Sequence, residues 1–343
     1  MVYFLGMPRR GRLHIAGGCY HVMGRGLERR YIFADVADKK DFLRRLSDCL
    51  AASEAQCLAW AMMSNHYHLL IRAGSQPLSR LMGPLLGGFG GSYNRRHGRV
   101  GYVFQNRFKS ILCEEDSYLL GVIRYIHLNP VRAKLVSNLQ MLDHYPWTGH
   151  AGILGKSRYS WHAADEVLRL FGETRRQARV AYRRFMQQGI DTPDTTHLSG
   201  GGLIRSHGGW ESIKRLRREH VQSIGDERIL GSGRFVEQAL ADDELSLERK
   251  TLRQQQGWTL DALVDRVCRA YGVDARDLKK KARANNLSIA KSLICYWGTE
   301  ELGLTMLEIG LMMGMSQQAI SKWVKKGRDY CQSERLDIDS LLR

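Results

Sequence analysis

Met63-Ser64-Asn65-His66-Tyr67-His68-Leu69-Leu70-Ile71-Arg72 decides how the first half of this chain is read. Two histidines two residues apart project to the same side only in an extended strand, where side chains repeat every second residue. A run rich in Leu, Ile and Tyr reads as such a strand. His66 and His68 then face one side, and Tyr67 and Leu69 the other. Two imidazoles on one strand face make two-thirds of a metal site, and they open one specific possibility, a metal-assisted nuclease that attacks DNA with a tyrosine. Twelve histidines in the chain make one such pair unremarkable by chance, so its meaning depends on what surrounds it.

Working outward, residues 13–26 alternate loosely and end in Gly24-Arg25-Gly26, a strand. Residues 37–52 carry Phe42, Leu43, Leu46 and Leu50 at helical spacing. Residues 56–62 and 66–72 are two strands joined by a tight Ser64-Asn65 turn. Residues 77–97 are helical through Leu78, Leu81, Met82, Leu85 and Leu86, then run into Gly88, Gly90 and Gly91, which weaken the helix's end. Residues 102–113 read as a fourth strand and 116–137 as a helix. The order β-α-β-β-α-β plus a helix is the ferredoxin-like α+β pattern.

The last of these helices contains Arg124-Tyr125-Ile126-His127-Leu128-Asn129-Pro130-Val131-Arg132. Tyr125 and Asn129 are one turn apart and share a face, while His127 and Leu128 point elsewhere. Pro130 disfavours helical backbone at Asn129 and clashes with the carbonyl of Ile126, so the helix should end or kink there. A divalent metal active on a phosphodiester needs ligands that leave positions open for the phosphate; His66, His68 and Asn129 supply three. The Tyr125 hydroxyl is the candidate nucleophile. It is a weak one at its free pKa near ~10, and a nearby metal or Arg/Lys would lower that barrier. Taken singly, each feature has an ordinary explanation. Tyr125 suits the surface of an amphipathic helix, Asn129-Pro130 is a helix stop, and the basic run Asn94-Arg95-Arg96-His97-Gly98-Arg99 suits a solvated loop.

Composition narrows the choice of partner. The chain has 343 residues, 43% of them hydrophobic, and a formal net charge of +17. That balance calls for a polyanion, nucleic acid before an anionic membrane surface. No run of 18 apolar residues is present, so no transmembrane helix is expected. The start of the chain, an apolar stretch followed by Arg9, Arg10 and Arg12, has the reverse charge order of a secretory signal. Seven scattered cysteines without a C-x-x-C pair argue against a disulfide framework or a zinc ribbon and fit a reducing cytoplasm.

Three separated segments in this order resemble one family: Ser64–Leu69, Val103-Phe104-Gln105-Asn106-Arg107-Phe108-Lys109-Ser110, and Tyr125–Arg132. They are similar to the single-tyrosine HUH transposases, and within them to the REP-associated tyrosine transposases, over roughly residues 10–150. The resemblance implies a ferredoxin-like catalytic domain, Mg²⁺ or Mn²⁺, a 5′-phosphotyrosine intermediate with a free 3′-hydroxyl, and single-stranded hairpin DNA as substrate. By motif position His66 and His68 are metal ligands, Tyr125 is the nucleophile and Asn129 the third ligand. Many relatives carry Gln at that third position, one methylene longer. Arg95, Arg96, Arg107 and Lys109 are expected to contact DNA.

Residues 151–255 are expected to be a connecting region, with helical stretches near 162–171 and 174–188 and a polar linker or mobile loop over 191–209. Residues 256–330 are expected to be a second domain, within which residues 258–326 become regular again. Leu260, Leu263, Val264, Val267, Cys268 and Tyr271 keep helical spacing, with Gly272 as a stop. Thr305-Met306-Leu307-Glu308 is a capping box, Gly314 a turn and Ser316 a second cap. The two short helices so delimited form a helix-turn-helix pattern, an arrangement also common in helical bundles that do not bind DNA. Its second helix places Gln317, Gln318, Ser321, Lys322, Lys325 and Lys326 outward as the expected DNA readers. This region is similar to the DNA-binding domain of the bacterial replication initiator, in Leu278, Ser288–Lys291 and Leu307–Gly310, but it lacks the initiator's base-reading signature. A bacterial, cytoplasmic, nucleoid-associated DNA endonuclease and strand transferase follows, acting as a monomer or homodimer on hairpin-forming repeats. The alternatives are a catalytically silent, sequence-specific DNA-binding regulator derived from a transposase, a metal-dependent RNase using activated water, and a basic nucleoid protein.

Overall fold

The computed structural model describes residues 12–191, 226, 228–280 and 285–342. It is a mixed α+β structure that divides into two compact units, Met1–Ala241 and Asp242–Arg343. The second unit thus begins at Asp242, earlier than the expected residue 256. The expected linker over 191–209 lies, apart from Asp191, outside the described residues, as does the start of the chain before Arg12.

The first unit runs β1 (Cys19–Arg25), α1 (Val36–Ser53), β2 (Gln56–Met62), β3 (His66–Arg72), α2 (Leu78–Arg96), β4 (Lys109–Cys113) and α3 (Glu115–Arg132). After these come the short helices α4 (Leu139–Leu142), α5 (Gly149–Ile153) and α6 (Ala164–Arg169), the longer α7 (Arg175–Asp191), and β5 (Ile229–Leu230). The sheet order is β2-β3-β1-β4-β5, with β5 parallel to β4 and every other pairing antiparallel.

Alternation along the strands feeds two cores. Tyr20, Val22, Tyr67, Leu69 and Ile71 join Phe42, Leu46, Met82, Leu85 and Phe89 of α1 and α2 on one face. Cys19, Leu70, Ile111 and Cys113 join Val122, Ile123 and Ile126 of α3 on the other, together with Tyr182 and Met186 of α7. The helices of the expected connecting region are therefore part of the first unit's core. The returning chain also covers the outer edge of β2. Met62 donates to the Trp147 carbonyl at 2.9 Å, and Ala163 to the Cys57 carbonyl at 2.9 Å, so backbone groups that would otherwise invite another strand are satisfied.

Two expected boundaries move, and that of α2 holds. The fourth strand is only Lys109–Cys113, because residues 102–108 leave the sheet and touch it again through a Gly26–Phe104 bridge. Helix α2 continues past its glycines to Arg96, since Leu78, Leu81, Met82, Leu85, Phe89 and Tyr93 keep one face buried along its whole length. Helix α3 runs through Pro130 and ends two residues later at Arg132. The Pro130 carbonyl then accepts from Leu135 and Val136.

Two glycines allow close approaches. A Cβ on Gly24 would meet the Tyr67 hydroxyl at 2.5 Å, and one on Gly327 would meet the Ser292 carbonyl at 2.1 Å. The first lets the Tyr67 ring lie under β1. The second seats the last long helix of the second unit on its neighbour. That unit consists of the latter part of α8 (Gly233–Gln255) with α9 (Leu260–Tyr271), α10 (Asn286–Glu300), α11 (Met306–Met313) and α12 (Gln317–Glu334). Thr305 and Glu308 cap α11 reciprocally, Gly314 ends it at φ 66°, and Ser316 accepts from Ala319 at the start of α12.

Asp38 links α1 to α2. Its carboxylate accepts from the backbone of Ala34 at 2.9 Å, bonds the Arg96 guanidinium and meets His97 at 3.0 Å, while its side chain is 1% exposed. Removing one partner of a buried ionic group strands the others. Asp38→Ala should lower the unfolding free energy by about 3 kcal/mol in urea titration, and a loss under about 0.5 kcal/mol would refute this role.

Candidate active site

Register puts the site residues side by side. Met23 of β1 pairs with His68 of β3 and with Lys109 of β4; Arg25 pairs with His66, and His21 with Leu70 and Ile111. Directly paired residues of neighbouring strands project to the same face, so His21, His66, His68 and Lys109 all lie on the face covered by α3. Helix α3 brings Tyr125 onto this group. Its ring centroid is 5.7 Å from that of His68 and 5.8 Å from that of His21, with edge-on geometry to both. The His66 and His68 rings are 5.1 Å apart.

Hydrogen bonds orient the imidazoles. His66 Nδ1 is 2.6 Å from the Asn65 amide oxygen. That oxygen only accepts, so Nδ1 carries the proton and Nε2 of the neutral ring has a free lone pair. His68 Nδ1 is 2.9 Å from His21 Nε2, which leaves Nε2 as the other nitrogen of His68. Burial, aided by the Arg25 charge, pushes the His66 pKa down to about 4. Burial, then His21, His66 and Arg25, hold His68 well below the usual histidine range. Both rings are neutral at neutral pH, the state in which imidazole ligates a metal.

Asn129 lies one turn beyond Tyr125 on α3. Its amide nitrogen donates to the Tyr125 carbonyl at 2.8 Å, which leaves the amide oxygen as its potential ligand atom. The Arg132 guanidinium sits 5.2 Å from the Tyr125 ring centroid. A cleft of about 310 Å³ opens beside the histidines, lined by Arg25, His66, His68, Asn106, Arg107 and Lys109 among others. The exposed segment Gln105–Arg107 is brought there by the Gln105 amide, which donates to the Arg25 carbonyl at 3.0 Å.

Other expected residues lie elsewhere. Arg95 is exposed on α2. Arg96 bonds Asp35 and Asp38. Asp35, Asp38 and His97 offer ligand atoms within 4.8 Å of one another, but the Arg96 guanidinium already neutralises the two carboxylates, so the group reads as an ion-paired clamp on the ends of α1 and α2. His127 points away from the cleft, as expected. Its Nδ1 is 2.8 Å from the Tyr182 hydroxyl, which is 2.8 Å from His150, which in turn meets Asp143 at 2.9 Å. In the second unit Gln317 and Gln318 open α12, Ser321 is half-buried, and Lys322 and Lys325 are exposed. The Lys326 ammonium donates to Ser288 Oγ at 2.5 Å and lies 5.2 Å from the Trp323 ring. Sequence reasoning missed His21. Its only signal was a place two residues before Met23 on an alternating strand, and nothing local told which strand would lie beside β3.

The family model described as "Transposase IS200 like" matches residues 15–129. That segment contains His66, His68 and Tyr125 and ends on Asn129, and the match bears out the resemblance of this part of the chain to such transposases. A solved structure described as "Structure of the REP associates tyrosine transposase bound to a REP hairpin" is similar at 15% identity and a TM-score of 0.38, over 46% of this chain and 97% of that one. No curated protein matches the chain. No helix among the described residues is long and apolar enough to cross a membrane.

The depressed histidine pKa has a measurable sign. A folded-state value below the unfolded one means that the unfolded chain binds the proton first, so stability falls as pH drops from about 6.5 toward about 4. In metal-free protein the His66 ring resonances should stay at their neutral positions down to about pH 5. An NMR titration midpoint near the unperturbed value of ~6.5 would contradict the burial and field that surround it.

Proposed function

We propose that this chain, whose residues 15–129 are similar to IS200-like transposases, is a metal-dependent single-strand DNA endonuclease and strand transferase. Its substrates are hairpin-forming repeats, and the intermediate is a 5′-phosphotyrosine on Tyr125. The observation that carries the reading is the approach of the Tyr125 ring to within 5.7 Å of His68, on the same sheet face as His66. The strand order β2-β3-β1-β4, with α1 and α2 on the opposite face from α3, supports a ferredoxin-like domain with an added tyrosine helix.

His66 Nε2, His68 Nε2 and the Asn129 amide oxygen would hold Mn²⁺ or Mg²⁺. Two neutral imidazoles and one amide oxygen fit such an ion, and the nitrogen donors favour Mn²⁺ over Mg²⁺. Bound there, the ion would polarise a non-bridging oxygen of the scissile phosphate. Arg25, Arg107 and Lys109 border the same cleft and steer the phosphodiester into it. The Tyr125 oxygen forms a bond to phosphorus as the phosphorus–O3′ bond breaks; the phenol loses its proton and the 3′ oxygen gains one. One phosphodiester replaces another, so the step is nearly neutral in energy and runs backward to rejoin strands. Asn65 and His21 hold the histidines in place, a positioning role. A duplex would keep its phosphate out of line with a tyrosine fixed on α3, which is the physical reason for single-strand specificity.

The second unit is read as a helix-turn-helix that adds duplex or hairpin affinity. The capped pair α11 and α12 and the exposed Lys322 and Lys325 support this.

End-labelled single strands carrying short hairpins, incubated with Mn²⁺, should yield a covalent adduct with wild-type protein. Tyr125→Phe should form none while binding DNA normally, and His66→Ala/His68→Ala should lose cleavage with the fold retained. Cleavage that survives Tyr125→Phe would indicate activated water instead, and a wild-type protein without adduct or cleavage would leave a DNA-binding regulator.

Replacing Lys322 and Lys325 by Ala should weaken binding to all DNA and flatten the log–log salt slope by up to ~0.9 per lost phosphate contact. Gln317→Ala/Gln318→Ala should cost selectivity more than affinity. Identical slopes in wild type and the lysine variant would exclude the second unit as a DNA reader.

A further inference from the structure

A second concavity, of about 680 Å³, runs between α2 and the segment Gly101–Phe108. Its floor is one face of α2, formed by Met82, Gly83, Leu86, Gly87, Gly90 and Gly91, spaced as residues that share a helix face. A Cβ on Gly83, Gly87 or Gly91 would meet nothing within 4 Å, and one on Gly90 only Val103 at 3.9 Å. Packing therefore does not require glycine here, although each one weakens the helix relative to alanine. What the missing side chains provide is an open, flat approach to the helix backbone. On the facing wall Tyr102 is 85% exposed, an aromatic ring held in water.

Polar groups edge this apolar floor. Asn94 donates to the Gly101 carbonyl at 2.8 Å, and its amide oxygen is buried with no hydrogen-bond partner among the described residues. Arg12 donates to the Phe108 carbonyl at 3.0 Å and stacks 3.9 Å over the Phe108 ring. Arg107 acts on Arg12 as a like charge, so an anion near both would relieve their repulsion. Gln105, Asn106 and Arg107 line this groove and also the cleft beside His66 and His68.

We propose that this groove binds the unpaired bases of single-stranded DNA adjoining the phosphate held in the histidine cleft. The inference rests on the reading of that cleft given above. The two concavities share one wall, so a strand leaving the cleft enters the groove. Flat base faces fit a floor in which four residues, Gly83, Gly87, Gly90 and Gly91, lack side chains, Tyr102 offers a stacking surface, and Arg12 and Arg107 meet the backbone. A duplex would keep its base faces stacked and unavailable.

The test uses the full-length chain and fluorescence anisotropy with two probes of about 16 nucleotides, a mixed-sequence single strand and an abasic strand of the same length. Wild-type protein should bind the base-bearing strand about tenfold tighter than the abasic one, the scale of one good stacking contact. Gly87→Leu fills the groove and should abolish that preference with abasic affinity kept. Gly87→Ala should melt no lower than wild type and keep the preference. A Gly87→Leu protein that melts normally and still prefers bases overturns the inference. So does one that keeps the preference but melts lower, because the groove would then hold a segment of protein. The readout needs no cleavage. A base preference lost in Gly87→Leu without any tyrosine adduct in wild type would sustain the groove and remove the endonuclease, and an adduct without base preference would do the reverse.

Discussion

The register of β3 is the constraint on which the rest depends. The strand is paired along its length on both sides, by β1 and by β2, and its two faces do different work. Tyr67, Leu69 and Ile71 are fully buried against α1 and α2, with the Tyr67 ring 5.0 Å from Phe42 and tucked under Gly24. A slip of one residue would turn these three toward α3 and bring His66 and His68 into an apolar core. Each large apolar side chain contributes roughly 1.5–3 kcal/mol by its burial, so the hydrophobic face holds the polar face in place. The histidines need no stabilising role of their own, and their geometry is free to serve chemistry.

Helix α3 faces a similar division. Tyr125 meets the histidines, Arg132 lies over the Tyr125 ring, and Asn129 bonds back one turn. On another side, fully buried His127 meets Tyr182, and through it His150, Asp143 and Arg183. A chain of directional bonds allows one rotation of the helix, whereas an apolar contact alone would allow several. Burial and its histidine neighbours hold His127 well below the usual histidine range, so it stays a neutral hydrogen-bonding group. The two sides of α3 are coupled: the rotation that satisfies His127 also presents Tyr125. Residues that look remote from the cleft, Tyr182 and Asp143 above all, thereby fix where Tyr125 stands.

Much of this was legible because it is local. Period-two alternation places His66 and His68 together, helical spacing places Tyr125 with Asn129, and the caps at Thr305, Gly314 and Ser316 stand where short-range chemistry puts them. What escaped depends on tertiary contacts. The contact of His21 with His68 comes from the pairing of β1 with β3, strands 47 residues apart at that contact. The capture of Arg96 by Asp35 and Asp38 comes from helices α1 and α2 lying side by side. A basic run reads as a DNA patch until its counter-ions are found. Pro130 was overvalued as a breaker, and the α2 glycines do not shorten their helix, because a continuous buried face outweighs the propensity of single residues. The helices after α3 were taken for a connector, since their small apolar faces make sense only against the sheet they cover.

Charge ties these features together. A large net positive charge says little by itself, because several arginines are committed to structure: Arg72 to Glu115, Arg183 to Asp143 and Arg253 to Asp339. Other positive groups gather around the cleft. Arg25 contributes to the depression of both His66 and His68 and also lines the cleft, with Arg107 and Lys109 beside it. One positive field then does two things. Through Arg25 it adds to burial, the larger cause, in disfavouring imidazolium, so the ring nitrogens keep their lone pairs, and it favours the approach of an anion. In water these effects would be weak and separable. In a cleft where His68 is only 6% exposed, the lower local dielectric strengthens both. A protonated histidine pair could have bound the phosphate directly, but it could not also have held a cation. By keeping the histidines neutral and placing positive charge on Arg25, Arg107 and Lys109 beside them, the fold meets in one place the two electrostatic conditions that the proposed reaction requires.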